Sequence, residues 1–293
     1  MKMSKLLFLY FLINNSMSAV CERHSSEPYI SGDSFRSHCQ FVLDKNSDFN
    51  PCSVKTGDAI FVQLNYLDRF FTDYHPRITA RYILVSHNHD VSAPREFKSF
   101  LADDKLYAWF TQNMDCVHPK LYPIPIGLIN MFHGFSRSRY QTLENALHTL
   151  PVEKAVLCYA NFNINNNKSE RGYVFDLLRD QKWICWENNM GYPWFLKRFA
   201  ESKFVLSPHG GGLDCYRTWE ALLMGSYPIV KTSTLDQLYD GLPVLIVNKW
   251  EDVTPEFLEQ SYLEMRKKSY KWDRLYFQYW LDLIKKKQDE CRG

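Results

Sequence analysis

Between Ser202 and Val230 the chain reads SKFVLSPHGGGLDCYRTWEALLMGSYPIV. Three successive glycines, Gly210, Gly211 and Gly212, let the backbone come close to a ligand and aim its N–H groups at it. A helix starting near Asp214 would add free N–H donors and the positive end of its dipole, and both suit a phosphate. Arg217, one turn in, offers a permanently charged guanidinium for a diphosphate. Glu220 falls three residues later on the same helix face, where a carboxylate can accept two hydrogen bonds from a ribose diol. Trp219, Leu222 and Leu223 point the other way and would bury against a sheet. With Ser207 at the preceding strand end and Asp214 at the helix start, these residues form a candidate donor-binding set. The same spacing also fits a ligand-free turn carrying a surface Arg–Glu pair.

Four further groups carry chemistry. Ser86-His87-Asn88-His89-Asp90 follows an apolar strand, and residues at such a strand end point into a ligand crevice. Asp90, and after it His89, is a candidate general base for deprotonating a hydroxyl; an Asx turn or a helix cap explains the segment equally. Asp33 and Arg36 lie in a loop over an acceptor or a diphosphate, or Asp33 caps a helix. Arg171 starts a helix after the polar loop 161–169 and is a candidate second diphosphate contact or a solvated helix start. Trp186 could stack on a nucleobase or sit in a core. Asn167-Lys168-Ser169 is a glycosylation sequon, meaningful only in a eukaryotic lumen.

Elements must hold these groups. Short β-rich runs are expected at 28–31, 58–64, 81–86, 106–110 and 121–127, and again at 154–159, 183–186, 203–207, 227–230 and 244–247. Amphipathic stretches separate them, among them 66–74, 93–101, 169–179, 193–200, 214–224 and 234–239. Continuous apolar strands between helices read as parallel sheets covered on both faces, so two successive five-strand sets predict two α/β domains. The break falls at 131–151, which has no strand pattern. One long helical pattern is expected from Pro255 to about Gln288, with an apolar stripe through Trp272, Tyr276, Tyr279, Trp280, Leu283 and Ile284.

Composition narrows the class. The 293 residues carry 35 Lys and Arg against 33 Asp and Glu, so no basic surplus points to nucleic acid. Lys2 and Lys5 precede an apolar run from Leu6 to Ile13, then small residues, which reads as a signal peptide over 1–18. That run is too short to span a bilayer, and membrane association is not predicted. A secretory, lumenal, periplasmic or secreted location is therefore expected. The eight cysteines form no Cys-x-x-Cys; Cys39 and Cys52 are the first pair to test for a disulfide, whereas Cys158, Cys185 and Cys215 read as buried thiols. His87-x-His89 lacks the clustered carboxylates of a metal centre, and no metal is predicted.

The run Phe204, Leu206, Pro208, Gly210, Gly212, Asp214, Arg217, Glu220, Ala221, Leu222, Gly225, Pro228, Ile229 and Val230 resembles the C-terminal motif of the exostosin-like glycosyltransferases (family 47-like). The resemblance implies an α/β, GT-B-like architecture: two Rossmann-like domains facing a cleft, with a long C-terminal helix. It implies an acceptor domain over 19–140, a sugar-nucleotide domain over 150–254 and a helical segment, 255–293, packing back across both. The co-substrate would be a UDP- or GDP-sugar, the acceptor a glycan, glycoprotein or glycolipid, and the transfer inverting. With no Asp-x-Asp in the chain, no cofactor is expected, and the helix dipole and Arg217 would offset the leaving diphosphate's charge. A non-catalytic carbohydrate-binding or inactive transferase-like protein is the alternative. An esterase reading of His209-Gly210-Gly211-Gly212 lacks the Gly-x-Ser-x-Gly elbow it requires.

Overall fold

The structure is a computed structural model that describes residues 24–131, 136–150 and 153–293. The leader read over residues 1–18, and Cys21, lie outside the described residues.

Two five-stranded parallel sheets dominate. The first holds β1 (Phe41–Leu43), β2 (Asp58–Gln63), β3 (Tyr82–His87), β4 (Leu106–Thr111) and β5 (Leu121–Pro123) in the order 1-2-3-4-5. The second holds β6 (Val156–Ala160), β7 (Ile184–Trp186), β8 (Ser202–Leu206), β9 (Tyr227–Lys231) and β10 (Leu245–Val247) in the order 10-9-8-6-7. The helices are α1 (Gly32–His38), α2 (Ser136–Thr149), α3 (Lys168–Leu178), α4 (Tyr192–Glu201), α5 (Tyr216–Leu223), α6 (Pro255–Met265) and α7 (Phe277–Arg292). This is the expected α/β, GT-B-like arrangement of two Rossmann-like domains facing a cleft.

The two sheets wind differently. In the first, consecutive strands are neighbours, so right-handed crossovers all fall on one face. Aromatics fill that face: Phe71 packs on Trp109 and stacks on Phe97 and Phe100. The opposite face, bearing Ile83, Val85 and His87, is covered instead by α1 and α7, where Phe35 contacts both His87 and Phe277. The second sheet reverses direction between β6 and β8, which places helices on both faces. On one face Tyr159 and Val205 join an apolar cluster continuous with the first domain; on the other, Cys158, Phe204 and Leu206 pack with Val174 of α3 and Leu258 of α6.

Three expectations are corrected. Residues 28–31 form no strand: Tyr29 makes one bridge to Tyr276, and Ser31 caps α1, its hydroxyl accepting from the N–H of Ser34 at 3.2 Å. The edge strand β1 takes its place in the sheet. The C-terminal pattern is two helices rather than one. Arg274 donates to the carbonyl of Leu238 at 3.0 Å and also to that of Asp240, while the N–H of Lys271 donates to Gly241 O at 2.8 Å, pinning residues 271–275 to the second domain. Cys39 and Cys52 are not joined to each other: the Cys39 thiol is buried and donates to Phe35 O at 3.3 Å, and Cys52 is exposed. Among the described residues no helix is long and apolar enough to cross a membrane.

Candidate active site

Where a parallel sheet reverses direction, the loops leaving two adjacent strands diverge and open a crevice. Here those strands are β6 and β8, and their loops carry the asparagine-rich segment 161–167 and the glycines 210–212. The crevice is a cavity of about 490 Å³ lined by Phe162, Gly210, Gly211, Arg217 and Glu220, with Asp90 reaching in from the first domain. A second cavity of about 480 Å³ lies against the first domain and is lined by Asp33, Arg36, Asn88, His89, Gln112 and Asn130. The two share Asp90, Ile126 and Tyr216.

Arg217 stands on the first turn of α5. Its Nε donates to Asn161 O at 2.9 Å and its guanidinium lies 5.5 Å from the centre of the Phe162 ring. One terminal nitrogen is buried and has no hydrogen-bond partner. Burial, with Arg171 close by, pushes its pKa down to about 10, so it is still a cation at neutral pH. Among the described residues no carboxylate lies within ion-pair distance of Arg171 or Arg217. Two neighbouring guanidiniums, one with a buried donor that has no hydrogen-bond partner and only Glu220 as a nearby counter-charge, make an anion-seeking site. Glu220, one turn further along α5, is buried, and burial raises its pKa; the Tyr192 hydroxyl bonds to it and Arg139 of α2 lies near. Arg139 in turn stacks over Tyr192 at 4.5 Å.

Other expected donor contacts have structural partners instead. Arg171 is buried: Nε donates to His209 O at 2.9 Å and a terminal nitrogen to Asn163 O at 3.0 Å, so it ties the two divergent loops together. Asp214 is saturated. Its Oδ2 accepts from Ile126 N and Trp219 Nε1, both at 2.8 Å, and its Oδ1 from Cys215 N at 2.8 Å and the Tyr239 hydroxyl at 3.3 Å. Burial raises its pKa to about 6 against those four donors, and no lone pair is left for a ribose. The Ser207 hydroxyl bonds Thr218 at 2.8 Å and seats α5 on β8. Trp186 is not in the crevice: Nε1 donates to Leu178 O at 3.2 Å and the ring meets Phe162 and Phe175 edge-on, inside the core. Asn167 is also occupied, capping α3 and donating to Gly210 O at 3.0 Å, which leaves the sequon's amide engaged.

The glycines matter for close approach across the domains. A side chain on Gly211 would run into the Asp90 carboxylate, and one on Gly212 into the Asn113 amide. Asn113 accepts from the N–H of Asp214 at 3.2 Å and donates to Asp90 O at 3.3 Å. Asp90 is therefore held by its backbone at the junction, with its side chain exposed to both cavities. His89 is exposed beside it, whereas His87 is buried and donates to Pro125 O at 3.0 Å. Asp33 and Arg36 reach the second cavity from α1; Arg36 is engaged with Asp44 at 2.7 Å and Ser47 at 2.8 Å, which fits a wall of that cavity better than a diphosphate clamp. Among the described residues no group of three or more His, Cys, Asp or Glu could hold a metal ion.

Asn113, Arg139, Phe162 and Tyr192 were not expected. Asn113 has a positive φ of 52° just after β4, and an Asn at a strand end is the signal that marks such positions. Arg139 belongs to the helix between the domains, and only the folded chain brings it to Glu220.

Residues 162–289 match the family model of the RXYLT1 C-terminal domain, an exostosin-like family, which bears out the resemblance read from the glycine-rich segment. Solved structures are similar at low identity. The GtfA/B complex shares 13% identity at a TM-score of 0.39, over 80% of this chain and 58% of that one. An alpha1,3-fucosyltransferase shares 12% at 0.40, over 85% of this chain and 79% of that one. The UDP-GlcNAc 2-epimerase from Methanocaldococcus jannaschii shares 13% at 0.35, over 74% and 72%. No match is found among curated protein sequences.

Proposed function

We propose that the protein transfers a sugar from a nucleotide sugar to a hydroxyl of a glycan or glycoconjugate, with inversion and without a metal. The observation that carries this reading is the buried, partnerless nitrogen of Arg217 in a crevice at the sheet's switch point, joined at Asp90 to a second polar cavity. The diphosphate lies on Arg217 and the glycine backbone, and the ribose diol on Glu220. The base faces Tyr192, Phe195 and Met190 rather than Trp186. The matching family model, an exostosin-like xylosyltransferase family, makes a UDP-pentose the first donor to try.

In the reaction, Asp90 takes the proton of the acceptor hydroxyl as its oxygen attacks the anomeric carbon. The carbon–oxygen bond to the diphosphate breaks on the opposite side, and the departing charge is held by Arg217 and backbone N–H groups. The sugar leaves bonded to the acceptor with inverted configuration, and the nucleoside diphosphate is released. An exported location is proposed on the leader pattern alone.

A thermal-shift panel of nucleosides, nucleoside diphosphates and nucleotide sugars tests the reading. Ligand at ~100 times its Kd should stabilise the protein by ~2.7 kcal/mol. Binding of a sugar nucleotide without hydrolysis or transfer, across a panel of glycan acceptors, would instead favour a non-catalytic binding protein.

A further inference from the structure

Three residues line both cavities. Asp90 is the proposed base, and Ile126 is tied to Asp214 through its N–H. Tyr216 is the third. It is the first residue of α5, directly before Arg217, and consecutive helical side chains diverge by ~100°. Arg217 therefore takes the diphosphate side while Tyr216 stands at the border of the two cavities. It is 36% exposed, so part of it stays open to a ligand at that border. Among the residues lining the acceptor cavity it is the one tyrosine, phenylalanine or tryptophan; the others are mostly amides, acids, histidines and cations.

We propose that Tyr216 is the sugar-contact residue, its ring receiving the apolar face of the transferred sugar at the point where donor and acceptor meet. This rests on the glycosyltransferase reading. A sugar ring has a face of C–H groups and an edge of hydroxyls. An aromatic ring covers the face without stripping hydrogen bonds, and Gln112, Asn88 and Asn130 remain to meet hydroxyls on the acceptor side. The placement links the two halves of the reaction: the phosphate is held one residue away on α5, and the base stands across the same border. Burial, then Asp90 and Asp33, push the Tyr216 pKa up to about 12, so the phenol stays neutral and leaves proton abstraction to a carboxylate.

Calorimetry on wild type, Tyr216→Phe and Tyr216→Ala, with UDP against UDP-xylose and UDP-glucose and GDP against GDP-mannose, tests the assignment. The readout is the ratio of nucleotide-sugar to nucleotide affinity. Tyr216→Phe keeps the ring and should keep the ratio. Tyr216→Ala should lower nucleotide-sugar affinity about tenfold while leaving the bare diphosphate unchanged. If Ala lowers the melting temperature, Tyr216→Leu, which keeps apolar bulk without a flat ring, should show the same loss. An unchanged ratio in Ala or Leu, or an equal loss for nucleotide and nucleotide sugar, overturns the assignment and leaves the glycosyltransferase reading standing. Wild-type protein that binds none of these ligands overturns both.

Discussion

Arg217 and Glu220 sit one turn apart on α5 and, on the proposed reading, divide the donor between them. A Lys at 217 would keep the charge and lose the planar fork, so Arg217→Lys should weaken nucleoside diphosphate binding more than tenfold, or ~1.4 kcal/mol, and barely affect the nucleoside. Glu220→Gln should weaken both, since both carry the ribose. Titration of each variant with each ligand decides the pair; equal losses in Arg217→Lys would make that residue a support of the fold. Asp90→Asn should slow transfer by ~10²–10⁴-fold at unchanged donor affinity, as removal of a general base does. A fully active Asn variant would pass the base to Asp33, across the acceptor cavity. These residues were legible because helical spacing and strand ends announce where a side chain points. The partners of Arg171, Asp214, Ser207 and Trp186 were not legible, for the opposite reason. Residue type shows that a group can bind a ligand; only the folded chain shows that His209 O, Ile126 N, Thr218 or Leu178 O already occupies it.

At the scale of elements, the start of α5 is a clamp between domains. Asp214 joins it to Ile126 of the first domain, and Asn113 returns the contact to the Asp214 N–H. Asp214→Asn would turn an NH₂ group toward two donors, and the loss at pH 7 should be ~1–3 kcal/mol by urea denaturation. The pH dependence has a definite sign. The native pKa of about 6 lies above the unfolded value. Between ~pH 4 and 6 the native state therefore holds a proton that the unfolded chain has lost, because an unfolded Asp titrates near ~3.9. This group alone makes the protein more stable as pH falls through that window, and the gain is lost as pH rises past 6. The Asn variant lacks it, so its deficit against wild type should widen toward pH 4.5; a deficit constant from pH 7 to 4.5 would refute the assignment. Elements were read unevenly from sequence. Buried parallel strands such as β2, β3 and β8 are continuous apolar runs and stand out. β1 is a three-residue edge strand within polar sequence, and the Tyr29 run looks extended while Ser31 is already capping a helix.

On the scale of the whole molecule, α7 is the second cover of the first sheet. Trp280, Leu281 and Ile284 are buried there, and Gln288 donates to Gly57 O at 2.8 Å. Ile284→Ala should cost ~2–5 kcal/mol, as a cavity in a packed core does, whereas Leu263→Ala on the exposed face of α6 should lie within ~0.5 kcal/mol. Comparable denaturation midpoints for the two would mean that α7 contributes little to the first domain.

The strand order of the first sheet also governs when that domain can finish. Since its crossovers all lie on one face, the other waits for α1 and for α7, some 190 residues downstream of β3. During synthesis from the N-terminus, at ~5–20 residues per second, residues 41–123 emerge long before residues 277–292. Val85 and Ile83 must then stay on a half-covered sheet until residues 277–292 have left the ribosome. Closing that contact spans more than 190 residues of chain, from β3 to α7, and such distant contacts fold slowly and expose apolar surface meanwhile. Nascent chains stopped short of residue 277 should therefore be the ones that engage chaperones.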